Sequence, residues 1–158
     1  MVTNQRLAKR VGMLVLMMAA CGAQAQSVEV KDAWVRGTVP AQKVTGAFME
    51  ITSKNAVRLV GASSPIAGTV EIHNMTMTGG VMKMFPVDGI DVPAGKTIKL
   101  APGGYHVMLF GLKRQMKPGE RVPLDLLVET ADKKRETVSL QIEVRDIAGN
   151  RAAAGNRP

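Results

Sequence analysis

The 158-residue sequence contains a single cysteine, Cys21, and it falls in a stretch that reads as removable. Arg6, Lys9 and Arg10 give that stretch a positive start, Val11 to Ala20 form a short apolar run, and Ala23-Gln24-Ala25 supplies the small-x-small pattern cut by signal peptidases. Residues 1–25 are therefore expected to be a signal peptide, with Gln26 the first residue of an exported, periplasmic chain. Met18-Ala19-Ala20-Cys21 has the outline of a lipoprotein box, but Met fits poorly at its first position, so a lipid anchor at Cys21 is not the favoured reading. Without the leader the chain has no cysteine, hence no disulfide, no thiolate nucleophile and no thiolate metal ligand.

Aromatic residues are almost as scarce, at three Phe, one Trp and one Tyr. No aromatic platform is interleaved with basic residues, so no nucleic-acid partner is expected. The formal charge of +8 falls to +5 once Arg6, Lys9 and Arg10 leave with the leader. What remains is spread along the chain and reads as a solvated surface. The ten-residue run Val11 to Ala20 is too short for the ~20 residues that a spanning helix needs, and no later run is longer, so no membrane span is expected. With two histidines, no cysteine after the leader and no carboxylate cluster, neither a hydrolytic triad nor a calcium or magnesium site is indicated. No enzymatic activity is expected.

Long stretches of 3.6-residue periodicity are absent too. Short apolar segments punctuated by Gly and Pro run through the chain instead: 28–35, 46–52, 58–62, 69–77, 81–87, 97–100, 105–110, 122–129 and 137–144. That pattern predicts an all-β sandwich or barrel. One domain is expected over 26–145, which is long enough for a real core. Residues 146–158 (DIAGNRAAAGNRP) are small and polar and read as a flexible C-terminal tail.

Methionine is plentiful. Of eleven, Met1, Met13, Met17 and Met18 lie in the leader. Met75, Met77, Met82, Met84 and Met108 fall with both histidines, His73 and His106, in a window of 36 residues. Met49 and Met116 lie outside that window and read as core filler. Side chains at i and i+2 share a strand face, so His106 projects with Met108, His73 with Met75 and Met77, and Met82 with Met84. A hairpin turning at Thr78-Gly79, or a four-residue loop over 77–80, would set His73 opposite Met84 and Met75 opposite Met82, with Cβ atoms ~4.5–5.5 Å apart. A three-residue loop would separate these pairs. Met75 and Met82 are expected to fill space or support the ligands; Met77 is either filler or an extra sulfur. Tyr105 reads as a packing residue.

Thioether sulfur is soft and neutral and favours copper(I) over zinc or hard cations. Two sulfurs and two imidazoles leave the ion its own single charge, which suits a monovalent cation. A blue-copper electron carrier needs a Cys thiolate with two His, which this chain lacks, and a histidine-brace monooxygenase would begin with His rather than Gln26.

At these residues the sequence resembles the periplasmic copper chaperones of the PCu(A)C type. That family's motif is His, ten residues, Met, twenty-one residues, His, one residue, Met, and His73, Met84, His106 and Met108 match it without a shift. The flanks DAWVR (32–36), RLVGASSP (58–65), GGVMKM (79–84) and PGGYHVMLFGL (102–112) are similar as well. The resemblance implies a cupredoxin-like Greek-key β-sandwich that binds Cu(I) through those four residues. It further implies delivery toward cytochrome oxidase Cu(A) assembly or copper homeostasis. Partners would be copper donors and acceptors, namely the oxidase Cu(A) subunit or a thiol-containing assembly factor. A monomer is expected. Some members carry a His/Met-rich tail with a copper(II) site; this tail has neither residue. The competing expectation is a metal-free exported β-sandwich that binds another protein.

Overall fold

The computed structural model describes residues 27–146. The expected leader, Cys21, the cleavage point before Gln26 and nearly all of the expected tail lie outside the described residues. Ten strands follow in chain order: β1 (Val28–Arg36), β2 (Val44–Ser53), β3 (Val57–Ser63), β4 (Thr69–Thr78), β5 (Val81–Pro86), β6 (Ile90–Val92), β7 (Thr97–Leu100), β8 (His106–Phe110), β9 (Arg121–Thr130) and β10 (Arg135–Arg145). Nine correspond to the segments read from the sequence. The tenth, β6, has only three residues, too few for alternation to reveal it.

The strands hydrogen-bond in the order β5-β4-β8-β2-β1-β10-β9-β3-β6, with β7 also paired to β2. The long β2 takes β8 along its first half and β7 along its second. The first and last strands lie side by side and parallel, Trp34 to Arg36 against Glu143 to Arg145. The continuous mixed sheet wraps into a Greek-key sandwich around one core. Alternate residues of facing strands fill it: Ala47, Met49 and Ile51 of β2, Val107 and Leu109 of β8, and Leu124, Leu126 and Val128 of β9. Each fully buried aliphatic side chain contributes roughly 1.5–3 kcal/mol through removal from water. Met49 and Met116 are buried there, as filler should be, and Tyr105 packs against the cluster. Every strand except β5 supplies a buried apolar residue to this core.

A bulge in β1 resets which side of the sheet its last residues face. Between Lys31 and Trp34 the register against β2 slips by one, and Asp32 takes a positive φ of 46°. The extra residue inverts the alternation. Val35 therefore points into the core, and Trp34 joins Phe48 on the opposite face of the sheet.

The β4–β5 hairpin departs from the expected register. Thr78 pairs with Val81, so Gly79 and Gly80 alone form the loop, at φ 60° and 78°. Two successive positive φ angles suit the right-handed strand twist, and glycine adopts them without steric cost. A turn at Thr78-Gly79 would have put a β-branched residue in that conformation, and a four-residue loop over 77–80 would have left Met77 and Thr78 unpaired. The pairs are thus Met75 with Met84, Met77 with Met82, and His73 with Pro86. The pairing of His73 with Met84 and of Met75 with Met82 is corrected by two residues. A two-residue shift preserves faces, so all five side chains still lie on one side.

Candidate metal centre

β8 sends Val107 and Leu109 into the core, so His106, Met108 and Phe110 lie on its other face. The antiparallel partner β4 brings His73 directly opposite His106 and Glu71 directly opposite Met108. On the other flank β2 sets Gly46 opposite Met108. A Cβ at Gly46 would stand 3.3 Å from Phe48 Cζ and 3.8 Å from Met108 Sδ, so the missing side chain makes room chiefly for the Phe48 ring and leaves the thioether in ordinary contact.

Rings form a floor across this outer face. Trp34 and Phe48 have centroids 4.6 Å apart, Phe48 and His106 6.3 Å, His106 and His73 6.0 Å, and His73 and Phe110 5.8 Å. The guanidinium of Arg36 lies 5.6 Å from the Phe48 centroid and that of Arg145 5.7 Å from the Trp34 centroid. These neighbours explain why His73 and His106, though outside the core, are only 6% and 4% exposed.

Each imidazole has one nitrogen engaged and one left over. His106 Nδ1 lies 2.9 Å from the Gly104 carbonyl. A carbonyl only accepts, so Nδ1 carries the proton and Nε2 the lone pair. That Nε2 is 3.2 Å from Met84 Sδ. His73 Nε2 lies 2.8 Å from a Glu71 carboxylate oxygen, which likewise assigns the proton to Nε2 in the neutral ring. His73 Nδ1 is buried with no hydrogen-bond partner. An orphaned buried nitrogen is costly unless something occupies its lone pair, and an outer carboxylate or carbonyl that fixes the tautomer is the usual support of a metal-bound histidine.

Beside the rings a cleft of about 400 Å³ opens, lined by Met75, Met82, Met84, His106, Met108 and Arg36, among others. Met84, His106 and Met108 therefore come together at one opening, as read from the sequence. His73 is not on its wall; it sits against the His106 ring. Among the described residues no group of three or more His, Cys, Asp and Glu side chains is placed to hold a metal ion. Glu71 and Gly46 were missed in the sequence. Glu71 had a signal, since it precedes His73 by two residues on the same strand face; Gly46 had none, because its role depends on which strand lies beside it.

Beyond the geometry, the LpqE-like family model ("Putative lipoprotein LpqE-like") matches residues 28–142. The chain belongs to the LpqE-like family. A relative in Leifsonia xyli subsp. xyli, "Putative lipoprotein Lxx21020", is 32% identical over 131 residues, covering 81% of this chain and 75% of its own. Among solved structures, the copper-bound PCuAC domain from PmoF2 superposes with a TM-score of 0.61 at 20% identity, covering 76% of this chain and 93% of that one. The solution structure of CuI-DR1885 from Deinococcus radiodurans has a TM-score of 0.53 at 34% identity, covering 78% and 83%. The LpqE-like chain thus has the cupredoxin-like fold of PCuAC domains, as its sequence implied. No helix among the described residues is long and apolar enough to cross a membrane.

Proposed function

We propose that this LpqE-like protein binds one Cu(I) ion through His73, Met84, His106 and Met108 and carries it, in the periplasm, to a copper-accepting protein. The observation that carries this reading is the pair of imidazoles, each with one nitrogen fixed by an acceptor, with His73 Nδ1 left without a partner and a thioether sulfur already at His106 Nε2. The Cu(I) form of the Deinococcus relative supports the choice of ion. Soft neutral donors favour this monovalent ion. Met84 is 47% exposed and stands at the mouth of the cleft. A partner's thiolate can therefore displace it first while the histidines still hold the ion. The receiving protein in this proposal is the oxidase Cu(A) subunit or a thiol-containing assembly factor, in the service of Cu(A) assembly or copper homeostasis.

The test is Cu(I) titration against a competing chelator under reducing conditions, with X-ray absorption to count neighbours. One tightly held equivalent with two nitrogen and two sulfur neighbours is expected. Met84→Leu and Met108→Leu should each weaken binding about tenfold or more, which is ~1.4 kcal/mol. Met116→Leu, buried in the core, should leave affinity unchanged. No Cu(I) binding by the unaltered protein would overturn the carrier and leave the metal-free interaction module.

A further inference from the structure

The corrected hairpin register produces a feature that the four-ligand site does not use. Two successive rows of paired methionines run along one face of the hairpin: Met75 opposite Met84, then Met77 opposite Met82 at the tip. Met77 is 68% exposed and Met82 47%, and Met75 and Met82 line the same cleft as Met84, His106 and Met108. The hairpin lies at the sheet edge and β5 gives the core nothing, so core filling does not account for Met77 and Met82.

Directly opposed Cβ atoms lie ~4.5–5.5 Å apart, and each sulfur sits on a flexible unbranched arm. Two such arms can close their sulfurs on one small ion, and a third can reach it from the neighbouring row. With thioethers as the only donors, the ion has to be soft and monovalent.

We propose that Met75, Met77 and Met82 form a second, weaker binding station for a soft monovalent cation, Cu(I) or Ag(I), at the hairpin tip. It loads the ion and passes it along the methionine rows to Met84 and the histidines. The station presupposes the Cu(I) cargo proposed above. With three thioethers and no imidazole, it is expected to hold its ion more weakly than the four-ligand site. A protein partner covering the same methionines is the competing occupant; leucine would serve such a partner equally well and would not bind the ion.

The experiment follows the methionine methyl resonances of protein labelled with methyl-¹³C methionine during titration with Ag(I). The first equivalent should shift Met84 and Met108. A second, weaker phase should shift Met75, Met77 and Met82, with Met49 and Met116 silent. The variant M75L/M77L/M82L should lose the second phase, keep the first and take up Ag(I) several-fold more slowly. The single substitution Met82→Leu, at an exposed position that leaves the fold intact, should weaken the second phase. A normal first phase with no second phase, or uptake by the triple variant as fast as wild type, would overturn the station alone. Silence of Met84 and Met108 with a response at Met75, Met77 and Met82 would overturn the four-ligand reading and, with it, the relay, leaving a lone thioether site at the hairpin tip. Silence at all five would overturn both.

Discussion

Glu71 and His73 stand two residues apart on β4, and the carboxylate lies 2.8 Å from Nε2. This contact decides which nitrogen of a buried ring keeps its lone pair. Removing such outer partners typically costs 10–100-fold in metal affinity, so Glu71→Ala should weaken Cu(I) binding by about that factor. Glu71→Gln retains an amide oxygen that can accept from Nε2 and should recover much of the loss. Chelator competition gives the affinities, and the ¹⁵N shifts of the His73 ring report the tautomer directly. An alanine variant with unchanged affinity and tautomer would remove Glu71 from the site. The residue scale was largely legible in the sequence: six of the side chains that meet here, two His and four Met, came from one 36-residue window. What was not legible was each ring's second partner. A main-chain carbonyl such as that of Gly104 leaves no trace in residue identity.

At the scale of the element, the β4–β5 hairpin depends on Gly79 and Gly80, both at positive φ. An L-residue in that conformation costs roughly 1–2 kcal/mol. The double variant Gly79→Ala/Gly80→Ala should therefore loosen the ladder between Met75 and Met84 without unfolding the sandwich. Hydrogen exchange of the β4 and β5 amides should accelerate, those of β9 and β10 should not change, and Cu(I) affinity should fall. Alternation located both strands of this hairpin, but it could not place the pairing between them. Register was set by the choice between Thr78-Gly79 and Gly79-Gly80 as the turn, and both options keep every side chain on the same face. The bulge at Asp32 was hidden for a related reason. A single inserted residue changes the phase of β1 and looks, in sequence, like loose alternation. It is nonetheless what delivers Trp34 to the aromatic floor beside Phe48.

Across the whole molecule, the core and the cleft lie on opposite sides of the same strands. Leu109 points into the core, while Met108 beside it lines the cleft. Leu124→Ala, deep in β9, should cost about 2–5 kcal/mol, as large-to-small core changes do. Met82→Leu, on the exposed hairpin, should leave the denaturant midpoint within experimental error of wild type. Urea melts of both variants check this, and a large loss from Met82→Leu would show that the hairpin supports the core after all. The all-β class and nine of the ten strands among the described residues were readable because glycine and proline punctuate short apolar runs. The parallel closure of β1 on β10 was not readable, since it joins segments more than a hundred residues apart. That β5 has no share in the interior has an evolutionary consequence. Substitutions can accumulate along this one margin while the determinants of folding stay untouched elsewhere. A lineage bearing this domain is thus free to vary the side chains of that margin without endangering the scaffold that presents them.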